Sequence, residues 1–387
     1  MRLLFSTTHG LGHVLPLLPF AHAARRAGHE VLLAGPPPIA AVAAREGLDH
    51  HPTAWPNPVT LDRARRLVAG RQGQERVEAA VNDLFVGAYG AAALPGMLEL
   101  IESFRPDAIL HETAEAAALI AGDVYRVPTV RVGVAMATPY EEWWLRMSAG
   151  ALDTLRAATG LRLDPGAQRA ARTPLFTRVP AVLDRHQGEP PALVHRFRDD
   201  VAIPAAPAED DPRPLVPISF GTMVPADGHY PGLYRAAIDA VAGLPVRVLV
   251  TVGRQADPAE LGPLPENVRV ERWVPIGEQL AGAAAFVTHG GAGTTLAALA
   301  AGVPMAVLPV SADQPLNARL VAAHGAGLAL EGGVADAGAL GTAVEELLRE
   351  PRYGDVARAI AGDMAALAPV ADALDEVEAF AAAGVPV

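Results

Sequence analysis

Thr288 to Leu320 reads THGGAGTTLAALAAGVPMAVLPVSADQPLNARL. The small residues of Gly290-Gly291-Ala292-Gly293 let backbone amides come close to a ligand, and Thr294-Thr295 open an Ala- and Leu-rich segment that reads as a helix. Free amides and the positive end of the helix dipole would then converge on an anion. After a second apolar strand, Asp313-Gln314 stands at the next strand-to-helix turn, where a carboxylate and a carboxamide can hydrogen-bond hydroxyl groups. An anion cradle beside a hydroxyl reader fits a sugar nucleotide. The rhythm of strand, turn and helix is that of a doubly wound parallel sheet.

Outward from this stretch the rhythm continues. Leu215–Phe220, Val246–Thr251, Val268–Val270, Ala284–Val287, Met305–Leu308 and Leu328–Leu330 read as buried strands, Gly232–Ala242 as a helix, and Val334–Ala383 as almost wholly helical. The first half repeats the scheme, with strands at Arg2–Ser6, Glu30–Ala34, Asp107–Leu110 and Val127–Val134. Between them come helices at Leu15–Ala27, Ile39–Glu46 and Ala114–Val124, with His111-Glu112-Thr113 as a turn. Residues 50–105 interrupt the alternation with the loop Trp55-Pro56-Asn57-Pro58 and helical stretches at Leu61–Val68 and Glu75–Ser103, the kind of insertion that builds a substrate pocket. Pro, Asp, Glu and Arg replace the apolar periodicity between Asp184 and Pro214. The expected organisation is a Rossmann-like domain at 1–200, a linker at 201–213 and a second Rossmann-like domain at 214–387, the last helix being a candidate to pack back on the first domain. Two such α/β domains facing across a cleft would bring their loop ends together.

Composition narrows the classes of function. The chain has 387 residues, 51% of them hydrophobic, enough for two cores. Its 31 basic and 43 acidic residues give a net charge of −12, so no general attraction for nucleic acid or an acidic membrane is expected, and a phosphate ligand must be held locally. With no cysteine, disulfides, thiolate nucleophiles and Cys-based metal sites are excluded. The apolar run after Met1-Arg2 is too short for a secretory leader, and Gly, Pro or charges cut the Ala-rich tracts short of a bilayer's width. A cytoplasmic protein without integral membrane association is expected. Asp199-Asp200 and Asp210-Asp211 stand in polar sequence and read as solvated rather than metal-ligating.

Several residues carry candidate chemistry. His13 lies in the loop His9-Gly10-Leu11-Gly12-His13-Val14-Leu15-Pro16, where Leu15 holds the place of the third glycine of a dinucleotide fingerprint and thereby argues against a dehydrogenase. As a general base an imidazole can take a proton at neutral pH, and Glu112 at a strand's carboxyl end could orient it; the plainer readings are a helix-capping or solvent-facing histidine and a surface acid. His9 and His111 are competing bases. His289 precedes the glycine loop and could donate to a phosphate oxygen, Gly221-Thr222 forms a tight turn, and the face of Trp273 suits stacking on a nucleobase. Trp55, Trp143 and Trp144 are candidates to line an acceptor pocket, although two adjacent tryptophans cannot share one helix face.

Together these pieces resemble the inverting nucleotide-sugar glycosyltransferases of the GT-B fold, closest to the bacterial enzymes that glycosylate macrolides, aromatic polyketides and enediynes. The resemblance rests on Gly12-His13-x-x-Pro16, His111-Glu112, Trp273-Val274-Pro275 and the stretch from His289 to Ala318. It implies His13 as catalytic base with Glu112 as its acidic partner, and Trp273 with Val274 at the nucleobase. It further implies His289, Gly291, Gly293 and Thr294 at the diphosphate, Gly12, Gly221 and Thr222 as further donor contacts, and Asp313-Gln314 at the sugar. Ile276 departs from the glutamine many relatives carry after Trp-x-Pro and leaves one base or ribose contact without its usual residue. The implied reaction moves a hexose or deoxyhexose from a TDP- or UDP-sugar to a hydroxyl or aromatic carbon of a hydrophobic aglycone with inversion. A nucleotide sugar serves as co-substrate, no cofactor or metal is expected, and a homodimer stays open. A sugar-nucleotide epimerase of the same shape and a non-catalytic sugar-nucleotide-binding helper are the competing readings. The aromatic insertions count against the first, and His13 with Glu112 against the second.

Overall fold

The computed structural model describes residues 1–184, 193–198, 203–206, 211–221, 224 and 228–384. The chain divides into two compact units, one of Met1–Asp200 with Leu367–Val387 and the other of Val201–Ala366. The last helix, Ala373–Ala383, thus belongs with the first unit, and the described part of 201–213 with the second.

The first unit is built on a sheet of eight strands: β1 (Arg2–Ser6), β2 (Glu30–Gly35), β3 (Asp49–Pro52), β4 (Ala108–Glu112), β5 (Thr129–Val132), β6 (Leu175–Thr177), β7 (Val194–Arg198) and β14 (Ala368–Pro369). They lie in the order β14-β7-β6-β5-β4-β1-β2-β3, and every pairing is parallel. Because side chains alternate along a strand, each face meets its own core. Leu3, Phe5 and Leu110 join Leu17, Phe20 and Val377 on one face, while Leu4 and Ile109 join Met97, Leu119 and Leu152 on the other.

The second unit carries β8 (Leu215–Ser219), β9 (Arg247–Thr251), β10 (Val268–Glu271), β11 (Phe286–Thr288), β12 (Met305–Val307) and β13 (Gly327–Ala329) in the order β10-β9-β8-β11-β12-β13, again all parallel. Val216, Ile218, Val248, Val250 and Val287 pack with Tyr234, Ile238, Leu340 and Val344 in one cluster.

Local differences from the sequence reading have physical causes. A short helix, Leu11–Val14, already follows β1, because Gly10 at φ 119° turns the chain directly into it. His111 and Glu112 are the last residues of β4 rather than a turn. Gly73–Phe104 runs as one 32-residue helix containing a π-helical segment, Ala80–Gly90; it is long and apolar enough to cross a membrane, with half of its most apolar window buried inside the protein. Pro95 falls within this run without ending it. Asp211 pairs with Arg213 at 2.6 Å, whereas Asp199, Asp200 and Asp210 lie outside the described residues.

Candidate functional site

In the first unit, the end of β4 delivers Glu112 beneath the helix that carries His13. Glu112 is fully buried, and each carboxylate oxygen is used. Oε1 accepts from the Thr8 amide at 3.0 Å and the Thr8 hydroxyl at 2.7 Å, and Oε2 accepts from the Ala114 amide at 2.7 Å. Nδ1 of His13 stands 3.1 Å from Oε2, with the His13 side chain 22% exposed. Burial alone would push this carboxyl up; the His13 charge and hydrogen bonds from His13 and Thr8 outweigh it and hold the group below the usual carboxylate range. The result is a buried anion fixed against one nitrogen of a partly open imidazole.

The other two histidines are poorer bases. His111 is fully buried, its Nδ1 lies 3.0 Å from the Glu112 carbonyl oxygen, and burial pushes its ring down to about 4. Burial, then the neighbouring His13 charge, also holds His9 below the usual imidazole range.

An aromatic cluster adjoins His9 and His13. Phe85 lies 5.1 Å from the His13 ring, Trp55 meets His9 edge-on at 5.0 Å, and Tyr89 sits 5.3 Å from Trp55 and 6.1 Å from Phe85. Phe85 and Tyr89 both come from the π-helical segment. The other candidate tryptophans, Trp143 and Trp144, are both partly buried on the helix Thr138–Ala158, and Trp144 packs against the core of the first unit.

In the second unit, β11 ends at Thr288 and the chain passes through His289 and Gly290 into the helix Ala292–Ala300. A Cβ at Gly221 would stand 2.8 Å from the His289 ring, and one at Gly291 would stand 2.5 Å from its Nε2, so two glycines press on the imidazole. Burial pushes His289 down to about 4 against a weaker opposing hydrogen bond to the Ser219 backbone, which keeps it neutral at pH 7. Gly291 is the N-cap residue of a nine-residue helix, and the amides of its first turn have no partner within the helix. A Cβ at Gly293 would meet nothing within 4 Å, so the mouth of this turn is open. Thr294 is half-buried and Thr295 is spent on the Gly291 carbonyl at 3.0 Å.

Asp313 is exposed and accepts from Asn317 Nδ2 at 2.8 Å; the same nitrogen donates to the Gly290 carbonyl at 2.9 Å, tying the two loops together. Gln314 is buried, and its Oε1 accepts from the Val310 and Ser311 amides at 2.8 and 2.9 Å. Trp273 is 47% exposed, with the Arg254 guanidinium 3.9 Å above its ring. The Val274 carbonyl accepts from Gln279 Nε2 at 2.7 Å, and Gln279 reaches Thr251 and, through it, Ser219. Thr222 lies outside the described residues, and Gly12 is exposed with open space around it.

Residues 235–379 match the family model for the erythromycin biosynthesis protein CIII-like C-terminal domain. The chain is 33% identical to the elloramycin glycosyltransferase ElmGT of Streptomyces olivaceus over 96% of its own length and 95% of that protein's. It is a natural-product nucleotide-sugar glycosyltransferase. The enzyme is also 30% identical to the L-demethylnoviosyl transferase of Streptomyces niveus over 94% of each chain. Among solved structures it resembles the spinosyn rhamnosyltransferase SpnG, with a TM-score of 0.81 at 24% identity, covering 98% of this chain and 100% of that one. SpnG has also been solved with thymidine diphosphate and with the spinosyn aglycone, at 25% and 26% identity and a TM-score of 0.79 for each. The two parallel-sheet units of the glycosyltransferase are therefore those of the GT-B fold.

Sequence reasoning missed Thr8, Phe85, Tyr89, Gln279 and Asn317. Thr8 follows a strand end and Asn317 stands one helical turn after Asp313, so both had a positional signal. Phe85 and Tyr89 lay in what reads as an ordinary apolar helix. Gln279, which takes the Val274 carbonyl, follows the Trp-x-Pro motif by more residues than the missing glutamine at Ile276.

Proposed function

We propose that this glycosyltransferase moves a hexose or deoxyhexose from a TDP- or UDP-sugar to a hydroxyl of a hydrophobic, aromatic-rich aglycone with inversion, His13 acting as general base. The observation that carries the reading is the 3.1 Å contact between His13 Nδ1 and the buried Glu112 carboxylate. A proton on Nδ1 facing that carboxylate leaves Nε2 to take the acceptor's proton, and the carboxylate stabilises the imidazolium so formed. As the acceptor oxygen bonds to the anomeric carbon, the bond from that carbon to the β-phosphate oxygen breaks. The proton ends on His13 and the nucleoside diphosphate departs.

Charge that grows on the leaving diphosphate is met in this account by the neutral ring of His289 and the amides from Gly291 to Thr294, with Gly221 and Gly293 leaving room for it. Trp273 offers a face for the base, and Asp313 with the Gln314 amide meets sugar hydroxyls. Phe85 beside His13, with Trp55 and Tyr89 beside His9, favours a flat aromatic acceptor. The thymidine diphosphate bound by SpnG supports a TDP-sugar as the first donor to try.

A mass-spectrometric screen of TDP- and UDP-sugars against aromatic polyketide and macrolide aglycones tests the proposal. A mass gain of one sugar on an aglycone is expected. An epimerised donor without transfer would instead support the epimerase reading, and donor binding without turnover the helper.

A further inference from the structure

On the face of the first sheet opposite His13, three polar residues stand in one row. Ser6, His111 and Arg131 are register partners on β1, β4 and β5, and all three are fully buried. Register partners on neighbouring parallel strands leave the sheet on the same face, about 4.8 Å apart. Nη2 of Arg131 is taken by Glu142 Oε1 at 2.9 Å and the Thr173 carbonyl at 3.4 Å. Its Nε and Nη1, and Nε2 of His111, have no hydrogen-bond partner among the described residues.

The chemistry of these orphaned atoms is complementary. A guanidinium only donates. With Nδ1 of His111 donating to the Glu112 carbonyl at 3.0 Å, Nε2 can only accept. A donor and an acceptor buried on neighbouring strands, each without a partner, are a setting in which a buried water is held, since it needs two to four polar partners.

We propose that His111 is a positioning residue for the His13–Glu112 pair: its Nδ1–H fixes the Glu112 peptide, and its Nε2 receives a hydrogen bond relayed from Arg131 through a buried water. The relay sets the tautomer, because the nitrogen that accepts cannot carry the proton. The depression of the His111 ring to about 4 keeps it neutral across the working range. Charged neighbours come from each side: Arg131 from β5, Glu112 from its own strand, Asp123 from the helix Ala116–Tyr125, and Glu142, which pairs with Arg131, from the helix Thr138–Ala158. The peptide held this way bears the carboxylate that contacts His13, so a shift of the strand end moves Glu112 against the imidazole. The proposal rests on the reading of His13 as base.

The test is a set of three variants. Asn places its amide nitrogen near the Nδ1 position and restores the bond to the Glu112 carbonyl; Gln and Phe do not. His111→Asn is expected to keep kcat within about threefold, whereas His111→Gln and His111→Phe lose at least about tenfold in kcat with the donor KM unchanged and the acid limb of the pH–rate profile displaced, a misplacement of about 1 Å being able to cost about 10²-fold. Thermal melting separates misfolding from misplacement, and the Asn and Gln variants decide the matter if the Phe variant does not fold. Equal kcat in folded Asn and Gln variants would overturn the positioning role. Nitrogen NMR of His111 in the unsubstituted protein supplies a readout that does not depend on turnover: the Nδ1–H tautomer is expected, and an Nε2–H tautomer refutes the relay. If no sugar is transferred to any acceptor, the functional reading fails while the NMR result still decides the relay.

Discussion

Replacing Glu112 by glutamine removes one charge and almost no volume, and the surrounding hydrogen bonds make the consequence calculable. At the 3.1 Å separation from His13 Nδ1, Coulomb's law with an effective dielectric of about 20 gives about 5 kcal/mol of support for an imidazolium. Solvent at the partly open His13 ring and the dipole retained by the carboxamide reduce this to about 3–4 kcal/mol, equivalent to about 10²–10³ in kcat. A second effect acts on stability. Both carboxylate oxygens accept from N–H groups, so the glutamine NH2 must face either Thr8 or Ala114, a buried donor–donor conflict costing about 1–3 kcal/mol. The expected result for Glu112→Gln is a folded protein with a lower melting temperature, an unchanged donor KM and a kcat reduced by about 10²–10³, measured on an acceptor from the screen. A kcat within about threefold of the unsubstituted enzyme would refute the assignment of Glu112 as the partner of the base.

The donor side yields further expectations. Gly221→Ala and Gly291→Ala each drive a Cβ into the His289 ring, and Gly221 has φ +73° besides, so both should raise the donor KM by at least about tenfold with the acceptor KM unchanged; a KM within twofold for both would remove His289 from the phosphate site. Arg254 occupies the face of Trp273, and a contact of this kind at an exposed site is worth about 0.5–1 kcal/mol, so Arg254→Ala should tighten nucleoside diphosphate binding about two- to fivefold by titration of Trp fluorescence. Weaker binding would mean that the guanidinium holds the nucleotide. Burial and the nearby Glu112 charge raise the Glu115 carboxyl to about 7, so the folded state keeps a proton that the unfolded chain gives up above its ordinary carboxylate range. Stability is therefore expected to fall as pH rises toward 7, by at most about 1.4 kcal/mol per pH unit, and Glu115→Gln should flatten that slope in denaturant titrations. Glu112, lowered rather than raised, works in the opposite sense: its contribution is present at neutral pH and is lost as pH falls through its folded value.

The second unit was legible because its strands are short, apolar and buried on both faces, so Leu215–Ser219 or Met305–Val307 can hardly be anything else. Four strands went unread: β3, β7 and β14 are polar or edge-like, and β6, Leu175–Thr177, is apolar and buried but only three residues long. β3 is Asp-His-His-Pro, β7 alternates Val, His, Arg, Phe and Arg, and β14 is two residues long; tertiary pairing rather than propensity makes them strands. Helical insertions were visible near Glu75–Ser103, but the π-helical register that brings Phe85 to His13 and Tyr89 to His9 leaves no trace in a pattern of apolar residues. Glu112 and His289 could be picked out from their places at strand ends, and His13 from the glycine-containing segment after β1. Which histidine can act as a base could not, because burial decides it: His111 lies one residue from Glu112 in sequence and on the opposite face of the sheet. Asp313-Gln314 read as two equivalent hydroxyl readers, and only the structure shows that the Gln314 oxygen is committed to its own loop.

The central claim is that one imidazole, His13, removes the acceptor proton as the sugar moves. The most direct measurement is the single-turnover rate of sugar transfer by His13→Ala, with donor binding followed in the same sample. Donor binding is expected to be unchanged and the transfer rate lower by about 10²–10⁴, the contribution usual for a positioned general base. A transfer rate equal to that of the unsubstituted enzyme would contradict it.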